Sequence, residues 1–423
     1  MNAIDITYLG NFKFPTLAGT EKSFAYSDGP ACLSESGDTL YLHGHDYSRQ
    51  FAEVPIPTFD ATATITRWFD PTFGQLDVYN QACMQSGVAP NGLKNRGLMF
   101  ADGAFHGAVN VYYNVSNKWI ASLFRGTEAA FSGWGKPSIT SFKSTGMIGD
   151  LPPRLKDHFG CDTFSFDAGG AGLAGTNNGP ALYVLNRQAS YPDQQTVPVT
   201  MVFESPISNP YDYWWGDRRF SGATFTNTDF VIGYTKTFGA RWYGKGNPGW
   251  GQTYDERGKG IVNHDIASVI NPGTIAVDAI SSAQGTHAEI YAPFLLCCSI
   301  DSIIAGDPVW IEIDMRPFGL TGNVGRCDPK CHRQSGKLYV LEYRVDAHKP
   351  KVHIFQTLSE PDMQELIALR AAVDVLEQAI LKTAGENAEL QTELNDAITA
   401  HDALRVKIDT AILAVDAAKA ALE

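Results

Sequence analysis

The last sixty residues carry a seven-residue apolar repeat, which constrains this chain more than any other stretch. Counting from Leu366 in alternate steps of three and four reaches Leu369, Val373, Leu376, Ile380, Thr383, Asn387, Leu390, Leu394, Ala397, His401, Leu404, Ile408, Ala411, Val415, Ala418 and Leu422. Fourteen of these seventeen positions are apolar. A straight α-helix drifts off such a repeat within a few turns, so one kept over eight heptads predicts a left-handed coiled coil. A single helix cannot bury its own stripe. Residues 361–423 are therefore expected to form an oligomerisation helix, whose repeat from Leu366 to Leu422 would be roughly 85 Å long if unbroken.

The seam also indicates a stoichiometry. Asn387 at a first core position fixes register and favours two strands, but Ala372, Ala379, Ala384, Ala400, Ala414, Ile398 and Ile412 widen the apolar face. A wider face suits three helices, and a parallel homotrimer is the expectation. A turn at Gly385 that folds the second half back as a hairpin is the alternative. The three-four register that runs unbroken across it favours a continuous helix.

Residues 1–360 are of another kind. The tail holds one of the 40 glycines (Gly385), one of the 22 prolines (Pro361) and no aromatic residue, so nearly all turn-formers and every ring precede it. The tail has twelve acidic against five basic residues, a net −7, leaving −6 of the chain's −13 to the head. That balance argues against a nucleic-acid partner held through phosphates. The start, MNAIDITYLGNFKFP, has no basic region followed by an apolar core, and no run of about eighteen apolar residues occurs, so no membrane insertion is expected. Seven cysteines, an odd and scattered set, do not resemble a secreted disulfide framework.

From residue 5 onward, short apolar strands alternate with turns. ITYLGNFKFP is a strand; TLYLHGHDY, FAEVPIP and ATITRWFD form a first meander. RGLMFADGAFHGAVNVYYNVSNKWIASLF forms a second, with Asp102-Gly103 as a hairpin turn. DTFSFD, ALYVLNRQ and VTMVFESP make a third group; ATFTNTDFVIGYTKTFGARWYG a fourth; TIAVDAI, APFLLCCSI and VWIEIDM a fifth; and GNVGRCDPKCHRQSGKLYVLEYRVDAHKPKVHIFQ a sixth. Before Pro361 only Asp301 to Ala305 reads as a helical turn. Such spacing predicts a β-propeller of about six blades, with the N-terminal strand closing the ring in the last sheet. TLYLHGH, ALYVLNR and KLYVLEY share an aliphatic-Tyr-aliphatic strand.

The order LGNFKFP, GDTLYLHGHDYSRQFAEVPIP, DFVIGYTKTFGARWYG and CDPKCHRQSGKLYVLEYRVDAHKPKVHIF resembles propeller-type proteins of unknown activity encoded in phage genomes and related bacterial sequences. The resemblance covers residues 5–357 loosely. It implies a fold and carries no catalytic residue; the tail lies outside it, although a globular head on a helical stalk is common in phage fibres.

Chemistry-bearing clusters are few. His43 and His45, two apart in a strand, face the same way and with Asp46 form a weak metal candidate, set against a plain strand end. Cys327, Cys331 and His332 form a second, but zinc knuckles need two short-spaced pairs and only one is present. Buried thiols acting as small hydrophobes explain them as well, and a Cys327–Cys331 disulfide is a further possibility. The glycine-rich run at Gly169–Gly179 lacks the Lys-Ser/Thr ending of a phosphate loop and reads as a turn. Tyr213, Trp214, Trp215, Trp242, Trp250 and Tyr254 stand among Asp, Arg and Asn, the composition of a sugar-stacking or protein-docking surface; packing between blades is the alternative.

These readings combine into an expected function. A stalk, a β head and no catalytic motif point to a structural virion protein of a bacteriophage, a tail-fibre, tail-associated or capsid-mounted part that contributes to host attachment. It needs no cofactor. Its partners would be other copies through the tail, other virion proteins, and a host surface glycan or protein. A glycan-binding or glycan-cleaving propeller and a cytoplasmic scaffold are the alternatives.

Overall fold

The computed structural model describes residues 6–17, 22–24, 30–45, 50–86, 93–111, 122–138, 145–167, 181–204, 218–243, 253–254, 260–261, 286–320, 327–346, 349–386 and 391–422. The chain divides into two units, Met1–Thr357 and Leu358–Glu423.

The first unit is a five-bladed β-propeller. After strand β1 (Thr7–Lys13), blade one holds β2 (Ala31–Leu33), β3 (Thr39–His43), β4 (Phe51–Pro55) and β5 (Arg67–Phe69). Blade two holds β6 (Leu93–Ala101), β7 (Ala104–Val111), β8 (Leu123–Gly126) and β9 (Phe131–Pro137). Blade three is β10 (Thr145–Asp150), β11 (Thr163–Asp167), β12 (Ala181–Leu185) and β14 (Val199–Glu204), while β13 (Thr196–Val197) crosses to run parallel to β9. Blade four is β15 (Arg218–Phe225), β16 (Asp229–Tyr243), the short β17 (Thr253–Tyr254) and β18 (Gly260–Ile261), β19 (Thr286–Ser299) and β20 (Trp310–Asp314). Blade five is β21 (Cys327–His332), β22 (Lys337–Asp346) and β23 (Lys349–Gln356), and β1 pairs antiparallel with β23 from Thr7↔Gln356 to Lys13↔Lys351. The N-terminal strand thus closes the ring.

Six sequence groups become five blades because the fourth and fifth are one sheet. β16 and β19 pair from Asp229↔Ser299 to Tyr243↔Thr286. A long connection, 244–285, separates them in sequence and imitates a blade boundary. TIAVDAI, residues 274–280, lies outside the described residues.

Blades pack on both faces, so central strands such as β12 and β22 carry apolar residues that point both ways. One cluster fills each seam. In β12, Leu182 and Val184 face blade four, while Ala181, Tyr183 and Leu185 face blade two. In β22, Leu338 and Val340 face blade four, while Tyr339 and Leu341 face blade one. The aliphatic-Tyr-aliphatic run marks strands of this kind rather than one repeat position, since it falls on a second strand at Tyr41 and Tyr339 and on a third at Tyr183. Burying each such ring or Leu contributes about 1.5–3 kcal/mol.

The inner strands β2, β6, β10, β15 and β21 neighbour one another in a closed cycle. Glycine sets the spacing at one seam: a Cβ on Gly222 of β15 would lie 1.8 Å from Asp328 Oδ1 on β21. Asp102-Gly103 forms the expected two-residue hairpin, with φ of 53° and 65°. Helices α1 (Gln75–Gln85) and α2 (Pro153–Phe159) depart from the sequence expectation, and α3 (Ile300–Ile304) matches the expected turn. In α1 the buried positions are Leu76, Asn80 and Cys83 only. So narrow a stripe, with a polar residue at its centre, leaves little apolar periodicity to read. Asn80 Oδ1 accepts from Leu93 N at 2.8 Å, and Tyr79 stacks on Trp134 at 4.6 Å, which fix the helix to blade two.

The second unit is two helices, α4 (Glu360–Glu386) and α5 (Gln391–Leu422), in place of one. His401 Nε2 lies 3.6 Å from Glu377 Oε1. In one continuous helix these residues would stand about 36 Å apart, so the helices are antiparallel. That corrects the continuous stalk. Eleven residues outward on each side bring Leu366 level with Ile412, and Leu369 comes within one residue of the level of Ile408. Beyond Met363, the half-buried positions of α4 are Leu366, Leu369, Val373 and Ile380, all on the seven-residue repeat; in α5 they are His401, Ile408 and Ile412. The seam therefore serves an intrachain contact. Asn387 and Leu390 lie outside the described residues, and only the helical backbone is described at Leu394 and Leu422. No described helix is long and apolar enough to cross a membrane.

Candidate functional site

Strand direction gives the propeller two unlike faces. The first and third strands of each blade end on one face and begin on the other. On the face where they end, a polar network ties all five blades. Arg333, in the turn after β21, donates to Asp150 O at 2.6 Å and to Asp150 Oδ2 at 2.5 Å, reaching from blade five to blade three. Asn227 of blade four donates to Arg333 O at 2.8 Å. His332 Nε2 is 3.1 Å from Glu35 O of blade one, and Gly103 N of blade two donates to Glu35 Oε1 at 3.4 Å.

Asp150 is the hub of this network. Its Oδ1 also lies 3.0 Å from Lys156 Nζ in α2 and 3.0 Å from Arg187 NH1, and Arg187 Nε is 3.4 Å from both Asp102 and Asp162. Burial alone would raise the Asp150 carboxyl, but Arg333 and Lys156 hold it below its ordinary value. Asp150 is an anion that fastens blades. Three cationic partners hold it ionised, which suits a structural tie rather than proton transfer.

A second charged group sits on the inner strand of blade five. Asp328 is 1% exposed and lies 2.8 Å from Lys330 Nζ; it accepts from Ala31 N of blade one and, at 3.4 Å, from Tyr343 OH. Burial pushes its carboxyl up to about 6, against the pull of Lys330. Such a value suits a general acid or base. It is buried, and its contact with Ala31 joins the inner strands of blades five and one. Further out in blade five, His353 Nε2 lies 3.1 Å from Glu342 Oε2, both side chains wholly buried. Burial keeps that imidazole below its ordinary value in spite of the carboxylate.

The residues singled out in the sequence separate in space. Cys327 and Cys331 lie on one extended strand, where four residues span about 13 Å, so neither a shared metal ion nor a disulfide fits. Cys327 Sγ donates to Phe294 O at 3.3 Å in the seam with blade four, and both ring nitrogens of His332 are engaged, Nδ1 with Ser335 Oγ at 2.8 Å. His43 packs edge-on against Phe51 at 5.0 Å and is buried, as is His45. Among the described residues no group of three His, Cys, Asp or Glu could hold a metal ion.

Tyr213, Trp214, Trp215 and Trp250 lie outside the described residues. Trp242 and Tyr254 belong to paired strands, in register Arg241↔Tyr254 and Trp242↔Thr253. The strand ends that bound 205–217 and 244–285 belong to the face opposite the Asp150 network. Sequence reading missed Asp150, Arg187 and Arg333, which lie far apart in the chain; only the fold brings them together. No protein-family model matches this chain, and no curated protein matches it.

Proposed function

We propose that this chain is a structural component of a bacteriophage particle, an attachment part whose propeller presents a binding face and whose helical tail associates with other copies. The exposed apolar surface of the tail carries the reading. Val375 is 68% exposed, Leu381 64%, Val406 63% and Leu413 66%, with Leu376, Leu404 and Val415 near half. Two helices that bury so little of their apolar surface need a further partner.

The proposed partner is another copy of the same tail, packed against the apolar surface that the hairpin leaves exposed, with three copies favoured by the width of the apolar face. The face opposite the Asp150 network, where the strand ends that bound 205–217 and 244–285 lie, is the proposed contact with a host surface glycan or protein; most of the Trp and Tyr singled out in the sequence belong to those two segments. The Asp150 network serves this role by keeping the ring rigid. Immunogold labelling of purified particles with an antibody to residues 1–357 tests the placement: label on intact particles is expected, and particles free of the chain would overturn it.

A further inference from the structure

We propose that the seam between blades two and three holds a small oxyanion of the phosphate or carboxylate type, gripped by Arg125, His106 and Arg187. His106, on β7, is 3% exposed, and neither of its ring nitrogens has a hydrogen-bond partner among the described residues. Leaving such a group buried and unpaired costs about 1–3 kcal/mol. Its neighbours are cationic. The β7–β8 register sets His106 directly opposite Arg125, so the two side chains share one face of the sheet.

Arg125 is half-buried, and its single described polar contact is a 3.3 Å bond from NH1 to Ser132 Oγ, with no ion pair among the described residues. Arg187 comes from blade three and is fixed in advance by Asp102, Asp150 and Asp162. Those three carboxylates offset Arg187, Arg333 and Lys156, and the Arg125 charge is left uncompensated.

The protonation state fits an anion. Burial, Arg187 and Arg125 lower the imidazole to about 4, against the opposite pull of Asp102 and Asp162. At neutral pH it carries one N–H to donate and no charge. A guanidinium fork with one imidazole N–H matches two oxygens of a phosphate or carboxylate, and the same guanidinium groups exclude a cation.

Titration calorimetry on the full chain, with inorganic phosphate and acetate as separate arms against sodium chloride of equal ionic strength, tests the site. Saturable binding of one ion per chain is expected, and the stronger arm identifies the oxyanion. Arg125→Gln should weaken it at least tenfold, and Arg125→Lys, which keeps the charge and loses the fork, by a smaller factor. Thermal unfolding without added ion checks that both variants fold. Absence of saturable heat in both arms, or unchanged binding in a folded Arg125→Gln chain, would overturn the proposal.

Discussion

Arg333 and Asp150 belong to non-adjacent blades, yet the guanidinium bonds both the backbone carbonyl and the carboxylate of Asp150, at 2.6 and 2.5 Å. This pair crosses the ring where seam packing cannot. Arg333→Ala or Asp150→Asn should lower the free energy of unfolding by about 1.5–3 kcal/mol, the range for hydrogen bonds to charged groups. Because the folded carboxyl titrates below its ordinary value, this contribution is complete above about pH 4 and disappears as pH falls through the folded pKa. Urea unfolding at a series of pH values from 7 downward should show the difference between wild type and Asp150→Asn largest at pH 7 and shrinking as the solution becomes more acid.

Asp328 has the opposite sign. Its carboxyl is raised to about 6, so the stability linked to it is greatest below about pH 4 and declines as pH rises through 6. Asp328→Asn removes that slope and, above about pH 6 where the carboxyl is ionised, leaves Lys330 buried without its counter-ion, a loss of about 3–5 kcal/mol. The double variant with Lys330→Met should recover most of it. Denaturation between pH 4 and 7 measures both effects, and a double variant no better than the single would refute the pairing.

Two glycines should respond differently to alanine. At Gly222 a Cβ would stand 1.8 Å from Asp328 Oδ1 and 2.6 Å from its Cα, so Gly222→Ala forces the inner strands of blades four and five apart. A loss of about 3 kcal/mol or more is expected, at the upper end of overpacking. Gly103 has open space and a φ of 65°, so Gly103→Ala meets only backbone strain of about 1–2 kcal/mol. Thermal melts should rank them in that order.

The antiparallel helices are testable by a cross-link. In a Glu377→Cys, His401→Cys chain, mild oxidation should join the two positions within one chain, as a 3.6 Å side-chain contact requires. Peptide mapping with isotope-mixed chains separates this from a link between chains. A continuous helix, holding the residues about 36 Å apart, would give no intrachain product.

The propeller was legible because short apolar runs such as ALYVL, bounded by turns, survive whatever lies between them. Closure by β1, the Asp102-Gly103 turn and the sheet-sized groups all follow from local residue patterns. The blade count did not, because pairing of β16 with β19 spans the 244–285 connection and no local pattern reports it. Helix α1 was hidden by the polar Asn80 in its buried stripe. In the tail, the repeat identified the contacting residues Leu366, Leu369, Val373 and Ile408, but not their partner: one heptad seam serves an antiparallel hairpin as well as a parallel bundle. The Asp150 network was invisible for a simpler reason. Asp150, Arg187 and Arg333 are ordinary surface residues until the ring closes.

The central claim is that the tail makes this chain a part of an assembly. Light scattering of the purified full chain, across a tenfold concentration range, tests it most directly. A mass of several chains, three by the width of the seam, is predicted, and replacing Leu404, Val406 and Val415 by Glu should reduce it to one chain with the head still folded. A wild-type mass of one chain at every concentration would contradict the account.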